Sequence, residues 1–347
     1  MPDSPPPISS TDLKLPLFVG IDLGGTNTKL GLVDVSGRTV AYHSVSTKVE
    51  LGPDHAVEQM ARGVDHLLQS AGVEKSAVAR IGLATPGPLD LEKGLLLTPG
   101  NLPGWWDYPI RDRVADTCGL PVRIANDANA AAFGEYWMGT GTNSHSLVLL
   151  TLGTGIGGGI VVGDHLVEGS HSSGAECGFL VIDPRPDARR DSGNLVGTLE
   201  AYCGSYGVVG RAKDALVAGR ESVLAAILQR NGGITPLEIA QAAEGGDPLA
   251  RETVLETAQY LALGIVSLIH TIDPDSVLLG GAMNFGGAGH PLGEEFLHQV
   301  RSAVRCRLLP ALRDAVRIDF ATLGGNAGYI GAAGLARLVT LELAEQT

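Results

Sequence analysis

Two glycine turns, each held between apolar strands, limit what this chain can become. The first lies in Phe18–Val33, F-V-G-I-D-L-G-G-T-N-T-K-L-G-L-V. An apolar run reaches one acid, Asp22. A turn of Gly24, Gly25, Thr26 and Asn27 follows, and a second apolar run carrying Lys29 leaves it. The second lies in Val148–Val162, V-L-L-T-L-G-T-G-I-G-G-G-I-V-V, with the turn Gly153, Thr154, Gly155. Each reads as a β-hairpin. Glycine accepts positive φ and lets a ligand approach the backbone, so consecutive N–H groups can point at a phosphate. A lone hairpin of this kind is as often an ordinary turn as a site. A matched pair in successive halves of a chain points to a duplicated domain with a ligand between the halves.

The length of 347 residues suits two domains with large cores, and an apolar share of 44 % excludes a disordered chain. With 38 acidic against 25 basic residues the net charge is −13, which argues against a nucleic-acid partner. A phosphate ligand must then be met by backbone N–H groups, helix N-termini and a metal ion. Cys118, Cys177, Cys203 and Cys306 form no C-x-x-C pair, so a zinc cluster is not expected, and scattered thiols suit a reduced, cytoplasmic protein. The Pro/Ser-rich start, residues 1–16, reads as a disordered tail without a basic or apolar targeting segment, and is too short for a helix-turn-helix. No stretch reads as long enough and free enough of Gly and polar residues to span a membrane.

Between the hairpins, Arg38–Thr47 alternates like a further strand and Asp54–Ala71 has helical apolar spacing. Arg80–Ala84 is a strand that runs into Thr85-Pro86-Gly87-Pro88. Pro99–Trp106, P-G-N-L-P-G-W-W, reads as a loop pinned by buried tryptophans, with Asn101 its polar member. Val122–Ala125 is a strand ending in Asn126-Asp127-Ala128-Asn129, before a helix over Ala130–Met138. Asp127 stands where strand gives way to helix, as an N-cap or as a general base at a domain junction. Beyond the second hairpin, a small-residue loop carries His171 and Glu176, and T-L-E-A-Y opens a helix with Glu200 in its first turn. There the helix dipole alone accounts for a carboxylate. T-P-L-E at Thr235 is a capping box, Pro248–Ile272 a long helix, and S-V-L-L a strand ending in Gly280 and Gly281, where backbone can lie flat against a nucleotide. Pro291–Arg305 and Gly328–Leu343 are further helices, and Val316–Ala321 a strand.

D-L-G-G-T-N-T-K, L-G-T-G-I-G-G-G and V-L-L-G-G resemble the phosphate hairpins and adenosine motif of the actin/hexokinase/Hsp70 superfamily. A-T-P-G-P, G-N-L-P-G-W, N-D-A-N-A-A-A-F-G-E, G-A-E-C-G-F and G-T-L-E-A-Y narrow the resemblance to the ROK family of sugar kinases and repressors, from about Phe18 to Leu335. The resemblance implies an α/β protein of two ribonuclease-H-like domains flanking a cleft: a smaller one over 17–125 plus 329–347 and a larger one over 126–328. It implies ATP-dependent phosphorylation of a hexose, glucose at O6 first, by a cytoplasmic homodimer. Asp127 would be the catalytic base, and Asn101, Asn126, Asp127, Glu176 and Glu200 the sugar ligands. Asp22, Gly24, Gly25, Thr26, Asn27, Lys29, Gly153, Thr154 and Gly155 would meet the phosphates, Asp22 through the hydration shell of Mg²⁺. Gly280 and Gly281 would meet the adenosine.

Two departures stand out. Phe179 occupies the place of a family histidine that contacts sugar and zinc, and Asp191–Thr198, D-S-G-N-L-V-G-T, corresponds to the family's cysteine-bearing zinc segment without Cys or His. The expectations are therefore no structural zinc, and a Phe179 ring packed as an apolar wall. The alternatives are a kinase for fructose, mannose or an N-acetylhexosamine, and, from another class, a non-catalytic sugar-binding regulator.

Overall fold

The computed structural model describes residues 13–345. The expected tail over 1–16 therefore lies, for residues 1–12, outside the described residues. In chain order the strands are β1 (Leu17–Leu23), β2 (Asn27–Asp34), β3 (Thr39–Ser46), β4 (Val78–Thr85), the short β5 (Leu89–Asp90) and β6 (Leu95–Leu96), β7 (Val122–Asn126), β8 (Ser146–Leu152), β9 (Ile156–Val162), the short β10 (His165–Leu166), β11 (Ser276–Gly280) and β12 (Arg317–Phe320). The helices are α1 (Pro53–Ala71), α2 (Ile110–Cys118), α3 (Asp127–Met138), α4 (Leu199–Cys203), α5 (Ser205–Val217), α6 (Val223–Asn231), α7 (Pro236–Glu244), α8 (Pro248–Ile272), α9 (Pro291–Arg305) and α10 (Ala327–Glu345).

Among the described residues the chain forms two compact units, 13–143 with His165–Ala175 and 323–345, and Ser144–Asp164 with Glu176–Thr322. In the first, the sheet order is β3-β2-β1-β4-β7, with β1 antiparallel to β2 and parallel to β4, and β4 parallel to β7. In the second, β9, β8, β11 and β12 lie side by side in that order, β8 antiparallel to β9 and parallel to β11, and β11 parallel to β12. The same plan thus occurs twice: a hairpin whose first strand is extended by parallel neighbours. In both units the glycine turn sits at the carboxyl end of that first strand, among the carboxyl ends of the parallel strands, where open α/β sheets collect their ligands.

Strand alternation divides the work of β1. Leu17, Val19, Ile21 and Leu23 enter a core with α1 and α2 residues such as Met60, Leu67, Ile110 and Val114. Phe18 faces the other way, among Tyr329, Ile330, Ala333 and Ala336 of α10. Gly20 lies on that second face. It pairs with Gly31 of β2 and with Gly82 of β4, so three glycines form a row across the sheet. α10 lies in this row. A Cβ at Gly20 would fall 1.8 Å from the carbonyl oxygen of Tyr329, one at Gly82 1.8 Å from that of Ala332, and one at Gly31 2.3 Å from the Tyr329 ring. Helix packs on helix the same way, since a Cβ at Gly331 of α10 would meet the Ala130 carbonyl of α3 at 1.6 Å.

Local signals account for the helix ends. Gly119 stops α2 in the left-handed region at φ 67°, and Thr235 with Glu238 makes the capping box of α7. One expectation is corrected here. α8 and the segment Gly324–Glu345 are each long and apolar enough to cross a membrane, although no such stretch was expected; 44 % and 56 % of their apolar windows are buried inside the protein. They read as core helices, whose apolar stripes pack against protein.

Candidate functional site

In the first unit the site grows from three strand ends. Register places Asp22 beside Ala84 and Ala84 beside Ala125, so β1, β4 and β7 finish together. β7 continues directly into α3, and its last residue, Asn126, is the helix cap: its Oδ1 accepts from Ala128 N at 2.9 Å and from Asn129 N at 3.2 Å. The capping role considered for Asp127 therefore belongs to its neighbour. Asp127 is the first residue of the helix, with Oδ1 accepting from Ala128 N at 2.8 Å. Among the described residues, Asp127 Oδ2 and the Asn126 amide Nδ2 make no hydrogen bond to another residue.

Asp22 and Asp127 interact. Burial, then the Asp127 charge, push Asp22 up to about 6, while Lys29, its cross-strand neighbour, pulls it down. Burial also raises Asp127, against the lowering by backbone N–H groups. The first turn of α10 closes on Asp22, since a Cβ at Gly328 would lie 2.6 Å from its carboxyl carbon. Lys29 Nζ donates to Gly325 O at 2.7 Å just before that helix.

The first glycine turn is closed by Gly24 N donating to Asn27 O at 3.1 Å. Neither Gly24 nor Gly25 takes positive φ, contrary to the sequence expectation. Glycine is needed there for close approach: a Cβ at Gly24 would lie 2.8 Å from Asn27 O, and one at Gly25 3.0 Å from Asn101 O. Asn101 thus comes next to the turn, on an exposed stretch. Its loop is pinned by Trp105, which is buried and donates from Nε1 to Val49 O at 3.2 Å. Trp106, also expected to be buried, is 65 % exposed. The amides of Gly25 and Thr26 and the Thr26 hydroxyl donate no bond to the protein among the described residues.

The second unit repeats the device. Gly153 N donates to Gly155 O at 3.0 Å, and the amides of Thr154 and Gly155 are left without a protein acceptor among the described residues. Gly280 ends β11 beside Thr151 of β8. Gly281, at φ 88°, has no room for a Cβ, which would sit 2.2 Å from Leu152 O. Glu200 is buried. Its Oε2 accepts from Ile156 N at 2.9 Å, its Oε1 from Tyr206 Oη at 2.9 Å and Ser192 Oγ at 3.2 Å. Helix-dipole compensation is thus not all this carboxylate does. Glu176 is exposed, one residue before a short 3₁₀ turn over Cys177–Phe179.

Phe179 departs from its expected role. It is 42 % exposed, so it is no packed wall. Phe179→Ala should cost less than ~1 kcal/mol of stability, as at other exposed sites; chemical denaturation checks this, and a loss of several kcal/mol would restore the wall. Among the described residues, no group of three or more His, Cys, Asp or Glu side chains is placed to hold a metal ion. Sequence reading missed Ser192 and Tyr206, which bond Glu200, and the role of Asp191, which bonds Thr198 at the start of the helix that carries Glu200. The D-S-G-N run, a turn signal, was the available clue.

The family model described as "ROK family" matches residues 18–338. A glucokinase of Halalkalibacterium halodurans is 31 % identical over 314 residues, covering 90 % of this chain and 93 % of that one. Among solved structures, a ROK hexokinase from Thermus thermophilus is 32 % identical with a TM-score of 0.80, covering 94 % of this chain and 99 % of that one. A ROK family glucokinase from Streptomyces griseus, in complex with glucose and AMPPNP, is 32 % identical with a TM-score of 0.73, covering 93 % and 99 %.

Proposed function

The chain belongs to the ROK family, with the actin-like ATPase fold of its kinases, and we infer its chemistry from that premise. It is an ATP-dependent glucose kinase. The observation that carries the mechanism is the pair Asp22, near the end of β1, and Asp127, just past the end of β7 two strands away, beside a turn with unspent amides. Asp127 Oδ2 takes the proton from the sugar hydroxyl, O6 in our reading, as that oxygen attacks the γ-phosphoryl group of ATP. A raised pKa brings this carboxylate nearer the working pH of a general base. The amides of Gly25, Thr26, Thr154 and Gly155 suit phosphate oxygens in a protein of net charge −13.

Asp22 fits a divalent cation, because burial first and the Asp127 charge second disfavour its ionised form, and a cation offsets both. Bound there through water, Mg²⁺ would neutralise charge developing on the phosphates. We assign Asn101 and Asn126 in the first unit, and Glu176 and Glu200 in the second, to sugar hydroxyls, and Gly280 and Gly281 to the adenosine. We also propose a cytoplasmic protein.

A coupled assay with ATP over a panel of glucose, mannose, fructose and N-acetylhexosamines tests the reading. Glucose should give the highest kcat/KM; turnover on none of them would overturn it. Thr26→Val and Thr154→Val should each raise the KM for ATP by ~10-fold, the size of one lost hydrogen bond to a charged group, and spare the KM for glucose. A change in the glucose KM alone would remove the hairpins from phosphate binding.

A further inference from the structure

We propose that Asp191 is a positioning residue for sugar binding, acting through Glu200. The proposal rests on the assignment of Glu200 to a sugar hydroxyl. The side chain of Asp191 is buried and spends both oxygens inside its own loop. Oδ1 accepts from Gly193 N and from Leu195 N, each at 2.9 Å, and Oδ2 accepts from Thr198 Oγ1 at 2.9 Å. Thr198 is the N-cap of α4, its hydroxyl accepting from Ala201 N at 3.2 Å. One carboxylate therefore shapes the 191–195 turn and orients the cap of the helix that carries Glu200.

The turn also reaches Glu200 directly. Ser192, next to Asp191, donates from Oγ to Glu200 Oε1 at 3.2 Å, and its backbone N–H donates to Tyr206 Oη at 3.0 Å. Tyr206 in turn donates to the same Oε1 at 2.9 Å. A carboxylate has about four acceptor positions. Protein donors fill two on Oε1, and Ile156 N fills one on Oε2. The remaining position, on Oε2, is held in a direction set by this network, and Asp191 is its keystone. A segment without Cys or His thus uses backbone-to-carboxylate bonds to fix a ligand-binding acid.

The experiment compares Asp191→Ala, Asp191→Asn, Glu200→Gln and the double variant Asp191→Ala/Glu200→Gln, measuring KM for glucose, KM for ATP and kcat. Asp191→Ala should raise the glucose KM ~10-fold, with the ATP KM unchanged within ~2-fold, the scale of one charge-assisted bond. Asp191→Asn keeps an acceptor and should recover most of that loss. In the Glu200→Gln background, Asp191→Ala should add little further, because coupled residues are not additive. An undiminished effect there, or an Asp191→Ala enzyme with wild-type glucose KM, overturns the proposal. If Glu200→Gln leaves the glucose KM intact, or raises the ATP KM instead, the sugar assignment of Glu200 fails, and this proposal with it. Should Asp191→Ala not fold, Thr198→Ala and Thr198→Ser take its place: the first should raise the glucose KM, the second should not, and equal values would overturn the idea.

Discussion

Asp127→Asn lowers kcat at least ~10²-fold while leaving the KM for glucose nearly unchanged, the expected signature of a lost general base. Asparagine keeps the shape and can still accept from Ala128 N, the bond that holds Asp127 Oδ1 at 2.8 Å. It has no lone pair basic enough to take the hydroxyl proton. The pH profile adds a second reading. Activity needs Asp127 ionised, so in the wild type kcat/KM falls as pH drops, along a limb above the ordinary carboxylate range because burial raises this pKa. Stability runs the other way. A carboxyl whose folded pKa is raised binds protons more readily in the folded state, so stability declines as pH rises from the ordinary value of 3.8 to about 6 for Asp22. Asp127→Asn removes one charge of the repelling pair. It should therefore raise Tm above pH 6 in the metal-free protein and flatten that decline. Turnover near wild type would take Asp127 out of the base role, and an unchanged Tm profile would sever its link to Asp22.

Gly82→Ala destabilises the first unit by about 3 kcal/mol or more, at the upper end for overpacking, because the clash is with backbone. The added methyl would lie 1.8 Å from the Ala332 carbonyl oxygen and 2.3 Å from its carbon, so no side-chain rotation relieves it. α10 must lift from the sheet. Its first turn adjoins Asp22, so the KM for ATP should rise as well. Gly233→Ala is the control. That glycine has ordinary φ and open space around its Cβ position, and the change should stay within ~0.5 kcal/mol. Urea denaturation of both variants decides the matter; equal stabilities would show that α10 does not depend on the glycine row.

Much of the fold was legible in the chain because its signals are local. An apolar run broken by Gly-Gly-Thr-Asn can only be two strands and a turn, and β1 and β2 end within a residue or two of the expected places. Capping residues marked helix ends in the same way: Pro248–Ile272 and Pro291–Arg305 stand as read. The candidate residues were legible too, since Asp22, Asp127, Gly280 and Gly281 all fall where an apolar strand stops, and ligands of α/β sheets collect at strand ends. The ROK membership and the kinase activity rest on the same motifs.

Other properties came from contacts between residues far apart in sequence, which no local pattern encodes. The order β1-β4-β7 brings Asp127 close enough for its charge to raise Asp22, although 105 positions separate them. Gly20, Gly31 and Gly82 look like three unrelated strand glycines until register aligns them and α10 lies across them. Exposure was equally hidden. Phe179 and Trp106 are large and apolar, yet neither is buried, because hydrophobicity gives a residue a preference for the core without saying whether the chain has a core at that point. Asp191 shows the converse: a polar residue in a polar run, buried because its backbone and hydroxyl partners are supplied only when the loop closes on α4. Short-range sterics and periodicity thus determined the elements and their chemistry-bearing ends, while charge coupling, close packing and burial were decided by the tertiary structure, since each depends on distances that exist only after the sheets have assembled.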